Sequence, residues 1–215
     1  MQARFDLIIF DCDGVVVDSE RIVHEVFVEF LRGLGVDLPP HEMLERFLGR
    51  RLKDCIAIVT ELTGQPVPPG AVDVYKARRD SVLRARVQPV AGVRAVLEGL
   101  AIPYCIASSG DHAKMQTTLG ATDLLPLFAD RLYSATEVAH GKPAPDIFLH
   151  AAARMGAAAH KTAVIEDSVN GVLAGRAAGM TVFGFAGLTP VERLHEAGAH
   201  ATFAHMRDLP ALLLG

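Results

Sequence analysis

Apolar residues fall along this chain in two rhythms. Short, nearly unbroken apolar runs occur at LIIF (7–10), YCIA (104–107), RLYS (131–134), TAVIE (162–166) and TVFGF (181–185). Such runs predict strands buried on both faces, the pattern of parallel sheets. Between them the spacing predicts helices over 92–100, after Pro89, and over 111–119, with Asp111 in the cap position. Two more are predicted over 145–155, with Pro145 near the first helical position, and over 168–178, starting at Ser168 and stopping at Gly179. Strand, helix, strand repeats joined by right-handed crossovers make an α/β fold, a doubly wound, Rossmann-like parallel sheet.

Residues 19–85 break that alternation. Ile22, Val26 and Phe30 recur at helical spacing, with Glu20, Glu25 and Glu29 at other positions of the same helix. Further helical patterns cover about 40–48, 51–63 and 70–84, separated by LPP, LG and GQPVPPG. The expectation is a core domain of residues 1–17 and 86–215 carrying an inserted helical domain of residues 18–85.

Composition agrees with this division and narrows the function. The 215 residues are 50% hydrophobic and include no Trp, which suits helices packed on a sheet and is enough for one core plus a small insertion. A formal charge of −4 gives no electrostatic reason to expect a nucleic-acid partner. Charges interrupt every apolar stretch well short of the roughly 18–20 residues of a membrane span. MQARFD leads straight into a strand, so no signal peptide is expected. Cys12, Cys55 and Cys105 are odd in number and far apart, as small buried residues of a reducing compartment would be. The expected protein is cytoplasmic, with no nucleic-acid or membrane partner, as a monomer or weak homodimer.

The chemistry lies where predicted strands end. Asp11 and Asp13 follow the first run, and Ser108 in ASSG follows the second. Lys142 in HGKPAPD follows the third, and Glu166, Asp167 and Ser168 follow the fourth. Open α/β sheets bind ligands at the carboxyl ends of their strands, so parallel strands would gather these groups at one edge. Clustered carboxylates repel; at about 4 Å and an effective dielectric near 20 a pair costs roughly 4 kcal/mol. A hard divalent cation such as Mg²⁺ relieves that repulsion, and it takes one or two carboxylates, waters and phosphate oxygens. With a lysine and a hydroxyl nearby, the set points to phosphoryl transfer, with one carboxylate as nucleophile and the other moving the proton.

The segments FDCDGVVVDSE, IASSG, GKPAPDIF and VIEDSVNGVLAGRAAGM, in that order and with an insertion between the first two, resemble the haloacid dehalogenase (HAD) superfamily. They are most similar to its helical-cap branch, which contains sugar-phosphate phosphatases and β-phosphoglucomutase, and the chain also resembles bacterial 6-phosphogluconate phosphatases. The resemblance covers nearly the whole chain. It implies Asp11 as nucleophile and Asp13 as general acid/base whose backbone carbonyl reaches Mg²⁺. It implies Ser108 on a phosphoryl oxygen and Lys142 neutralising the nucleophile and the transferring group. Asp167 becomes a metal-binding acid, with Glu166 a direct or outer-shell ligand. Gly14 allows the turn, while Ser109, Gly110 and Cys12 offer backbone N–H groups to phosphate.

Asp13 argues for phosphoester chemistry, because the dehalogenases and phosphonate hydrolases of the superfamily lack the second acid. The expected activity is hydrolysis of a small phosphorylated metabolite through an aspartyl-phosphate. The alternative is a β-phosphoglucomutase-like mutase, and after it a non-enzymatic phosphoacceptor or interaction module. Mutases carry a cap histidine at a position matching Val23, whereas His24 lies roughly 100° further round the helix. In the cap, Arg50 and Arg51 after Gly49 are the expected readers of a distal anion, since guanidinium matches carboxylate and phosphate. Asp18 and Ser19 read as a hinge turn and helix start, and Arg78, Arg79, Arg84 and Arg86 as the wet face of the last cap helix. His195, His200 and His205 read as surface residues, and His112 as a helix-start residue.

Overall fold

The computed structural model describes residues 4–128 and 130–214. Its strands are β1 (Leu7–Phe10), β2 (Tyr104–Ser108), β3 (Leu132–Ser134), β4 (Thr162–Glu166), β5 (Thr181–Phe185) and β6 (Ala201–Phe203). They form one six-stranded sheet in the order β3-β2-β1-β4-β5-β6, with every neighbouring pair parallel. Alternation along β1 separates its residues between two cores. Ile8 and Phe10 join Ile106, Phe128 and Phe183 on one face, while Leu7 and Ile9 join Cys105, Phe148 and Val164 on the other. This burial on both faces is why the run reads as continuously apolar.

Helices α1 (Glu20–Gly33), α2 (Pro40–Phe47), α3 (Leu52–Thr63) and α4 (Ala71–Arg86) follow β1 and have an apolar cluster of their own. Phe27 is central to it, edge-on to Phe47 and Tyr75 at 5.0 and 5.4 Å between centroids. The two chain crossings between this unit and the sheet run side by side. Val17 bridges Pro89, the N–H of Asp18 donates to Gln88 O, and that of Val90 donates to Val16 O.

The remaining helices are α5 (Val93–Gly99), α6 (His112–Ala121), α7 (Leu125–Phe128), α8 (Asp146–Arg154), α9 (Val169–Ala177), α10 (Val191–Glu196) and α11 (Leu209–Leu214). The expected caps are in place. The Asp111 side chain accepts the N–H of Lys114 at the start of α6, and Ser168 accepts that of Gly171 at the start of α9. The sequence pattern did not anticipate β6, α7, α10 or α11. β6 is a three-residue edge strand with its first two residues only half-buried, too short to show a period. His195, His200 and His205 are exposed as expected, but His200 also accepts the N–H of Val182 and so adds to the pairing at the start of β5 and β6. All three cysteines are buried and free, and among the described residues no helix is long and apolar enough to cross a membrane.

Candidate active site

After β1 the chain moves to one side for β2 and β3, then returns to lay β4 against the other side of β1. That reversal opens a crevice at the carboxyl ends of β1 and β4. Asp11 and Asp13 follow β1, Ser108 ends β2, and Glu166 ends β4 with Asp167 next. Lys142 arrives from the loop ahead of α8, where the N–H of Ala144 donates to Gly141 O. All six are buried, none more than 8% exposed.

Lys142 is the centre of the site. Its Nζ lies 2.5 Å from Asp11 Oδ1 and 2.6 Å from Glu166 Oε1, and it sits 4.8 Å from the Phe148 ring centroid. Burial works against its charge, but Asp11 and Glu166 outweigh burial and hold the ammonium well above the ordinary lysine range. Glu166 is fully engaged on the protein side. Its Oε1 takes Lys142, and its Oε2 accepts the backbone N–H and hydroxyl of Ser168 at 2.9 and 3.0 Å. Glu166 thus holds Lys142 and the start of α9. Gly171 makes room for it, since a Cβ there would overlap the Glu166 carboxylate.

Asp13 is held differently. Its Oδ1 receives the Ser19 hydroxyl in a very short hydrogen bond and the Lys114 ammonium at 2.8 Å, while Oδ2 has only the Ser108 hydroxyl at 3.5 Å. Burial alone would raise this carboxyl; Lys114 first, then Ser19 and Arg79, bring it below the usual range. Ser19 does precede α1, but it makes no side-chain cap and spends its hydroxyl on Asp13 instead. Lys114 was not expected at all, because in sequence it is one polar residue in the first turn of a helix.

A second correction concerns Gly110. Its N–H donates to the Ser108 hydroxyl at 2.9 Å, so it braces that hydroxyl and is not free for a phosphoryl oxygen. Ser109 spends its own hydroxyl on Gly49 O, 2.9 Å away on the helical unit.

Two lysines thus face four carboxylates, Asp11, Asp13, Glu166 and Asp167, leaving two formal negative charges. The strain shows at two of them. Burial, opposed by Lys142 and reinforced by Glu166 and Asp13, raises Asp11 to about 7. Burial, with Glu166, Glu20 and Asp11 behind it, pushes Asp167 well above the carboxylate range. Asp167 Oδ2 is buried without a hydrogen-bond partner, and it points at Gly14, where any Cβ would overlap it. Gly14 also has φ +79°, so this turn needs glycine twice over. Among the described residues no three His, Cys, Asp or Glu side chains already form a cage for a cation. The donors nevertheless suit a hard divalent ion that keeps waters and needs only one or two carboxylates, and the orphaned Asp167 oxygen is the partner it would take.

The crevice opens into a cavity of about 450 Å³ between sheet and helical unit. Gly49, at φ +73°, brings the helical unit against Ser168, closer than a Cβ would allow, and Asn170 donates to Leu48 O. Beyond this contact the two arginines part. Arg50 lines the cavity, its side chain makes no hydrogen bond or ion pair among the described residues, and its Nε is buried and unpartnered. Arg51 does not line it: its guanidinium is bidentate to Asp54 at 2.8 and 3.0 Å and donates to Ala139 O at 3.1 Å. The expectation that Arg51 binds substrate is therefore corrected; it fastens the helical unit to the loop around Gly141.

Arg79 is a further correction. It is 4% exposed, faces Tyr75 and the cavity, and pairs with Asp80, whereas Arg78, Arg84 and Arg86 stay wet as expected. Val23 and His24 both line the cavity, so the offset along α1 does not remove the imidazole from it. Glu20, also on the cavity wall, is raised to about 8, by burial first and then by Asp13.

Comparison with known proteins agrees with this geometry. Residues 5–179 match the family model of haloacid dehalogenase-like hydrolases. The chain is 32% identical over 211 residues to the 6-phosphogluconate phosphatase of Escherichia coli, covering 98% of this chain and 95% of that one. A haloacid dehalogenase-like protein of Agrobacterium tumefaciens superposes with a TM-score of 0.81 at 39% identity, over 97% of each chain. A HAD family hydrolase of Deinococcus radiodurans, solved with bound phosphate and sodium, does so at 0.74 and 29%, over 99% of this chain and 96% of that one. The chain belongs to the haloacid dehalogenase-like hydrolases, as one of the phosphatases that cleave phosphoric monoesters.

Proposed function

We propose that the protein is a Mg²⁺-dependent phosphatase of a sugar phosphate or sugar-acid phosphate, such as 6-phosphogluconate, working through a phosphorylated Asp11. The observation that carries this is the buried set of Asp11, Asp13 and Asp167 lining one cavity, with Lys142 paired to Asp11 behind them, two positive charges short of balance. Asp11 Oδ1 is held by Lys142, which leaves Oδ2 to attack phosphorus. As the P–O bond to the leaving group breaks, Asp13 gives that oxygen a proton. Water then attacks phosphorus, Asp13 takes the water's proton, and the carboxylate of Asp11 is released. Ser108 supports a phosphoryl oxygen and Lys142 offsets its charge. Asp11, Asp167 and the Asp13 carbonyl would hold the Mg²⁺, which when bound draws charge from the phosphoryl oxygens. Phosphate release with Mg²⁺ across sugar phosphates, sugar-acid phosphates, nucleotides and phosphoglycolate tests this reading. Release from none of them would overturn it.

Arg50 supports the sugar-acid end of that range, as a cation of the cavity that forms no ion pair among the described residues. A guanidinium bond to a carboxylate contributes about 1.5–3 kcal/mol. Arg50→Ala is therefore expected to raise KM for a sugar-acid phosphate roughly 10–100-fold and to leave its neutral counterpart nearly unchanged. Arg51→Ala is expected to act on both substrates alike, through the attachment of the helical unit. Equal losses on both substrates for Arg50→Ala would remove the carboxylate from the reading.

The mutase reading has one observation in its favour, the buried and unpartnered Nε2 of His24 on the cavity wall. β-Glucose 1-phosphate with a bisphosphate primer separates the two readings. Hydrolysis gives inorganic phosphate, whereas a mutase gives glucose 6-phosphate.

A further inference from the structure

We propose that Lys114 is a positioning residue for the acid/base Asp13. With Ser19, it clamps Oδ1 so that Oδ2 alone exchanges protons with substrate and water. This rests on the phosphoaspartate reading above.

The asymmetry at Asp13 is the starting point. Both strong donors, the Ser19 hydroxyl and the Lys114 ammonium, fall on Oδ1. Among the described residues Oδ2 has only the 3.5 Å contact from Ser108, and Asp13 lines the cavity. A carboxyl that must give up a proton in one step and recover it in the next needs one oxygen exposed to the reaction and the other fixed. The two donors supply that division.

Lys114 is itself well anchored. It is 8% exposed, and its backbone N–H is held by the Asp111 cap at 2.8 Å. Its stem runs beside Gly110, where a Cβ would meet Cδ at 3.3 Å. The same Asp111 carboxylate lies 3.9 Å from Arg79 and from Lys76 of α4. Ser19 immediately precedes α1. Both donors on Oδ1 therefore stand next to the helical unit, so the acid/base is aimed by the part of the molecule that also covers the substrate.

Lys114→Met and Lys114→Arg test this with p-nitrophenyl phosphate and Mg²⁺. The p-nitrophenolate leaving group needs little help from an acid, so the step that requires Asp13 is the attack of water. Lys114→Met is expected to lower kcat roughly tenfold or more and KM along with it, so that kcat/KM, which reports the phosphorylation step, stays nearly constant. Acid-quenched protein should then carry covalent phosphate approaching one per chain, above the wild-type level, and Lys114→Arg should restore much of the rate. A raised KM with unchanged kcat, or a lost kcat without phosphate build-up, would overturn the role.

Asp13→Asn is the control for the underlying scheme. If it too fails to accumulate covalent phosphate, the phosphoaspartate reading is wrong and the role of Lys114 falls with it. Should Lys114→Met melt below the assay temperature, Ser19→Ala removes the other donor from the same oxygen. It is expected to give the same build-up, and its absence would overturn the clamp.

Discussion

Asp11→Asn is expected to lower phosphate release by roughly four orders of magnitude or more while leaving the fold intact. The amide has no anionic oxygen to attack phosphorus, and no other carboxylate can take its place. Glu166 is bound through both oxygens, Asp13 is clamped, and Asp167 sits against Gly14. The same substitution makes an opposite prediction for stability. Asp11 is raised to about 7, chiefly by burial. An acid whose folded pKa lies above its unfolded one favours folding while protonated, and that contribution fades as pH rises from about 4 through about 7. Without Mg²⁺, the variant should lose less stability than the parent across that window, and at pH 8 it should melt no lower. Thermal melts in chelator at several pH values, beside phosphate release with Mg²⁺, check both halves. A variant with parental turnover would sink the nucleophile assignment. One that melts far below the parent at pH 8 would mean that the carboxylate stabilises the site.

The residues of this chemistry were legible because each ends a run whose burial admits one reading. LIIF, YCIA and TAVIE are apolar on both faces, so the polar groups at their ends stand out and parallel pairing brings them together. Lys142 was legible from the loop that carries it. The residues that orient the site were not. Lys114 and Arg79 lie on helices whose polar positions usually face water, and tertiary packing alone turns them inward. Arg50 and Arg51 are adjacent and chemically identical; what separates them is Asp54, three residues on, which takes Arg51 and leaves its neighbour to the cavity. Gly110 and Ser19 show the same limit. The groups they bond, Ser108 and Asp13, are close along the chain, but the turn that brings each pair together does not show in the residue pattern.

Lys142→Met is expected to combine the loss of activity with a large loss of stability. Replacing the ammonium with a thioether of similar length leaves Asp11 and Glu166 buried and facing each other with no cation between them. Removing one partner from such a buried pair costs about 3–5 kcal/mol. For a chain of this size that lowers the melting temperature by roughly 6–20 °C. The penalty should depend on pH in a definite direction. The two acids, deprived of the ammonium, escape repulsion by taking up a proton, so their folded-state pKa values rise. Stability is then favoured at low pH and lost as pH increases. The gap between variant and parent should therefore be widest near pH 8 and shrink towards pH 5. Adding Glu166→Gln should recover part of the stability at pH 8, because one of the two charges is gone, and should recover none of the activity, because Asp11 still lacks its cation. Urea titrations of the parent, the single variant and the double variant at pH 8 and pH 5 measure every term. A single variant as stable as the parent at pH 8 would mean that Lys142 does not balance these acids. A double variant that regains turnover would mean that its charge is not needed for phosphoryl transfer.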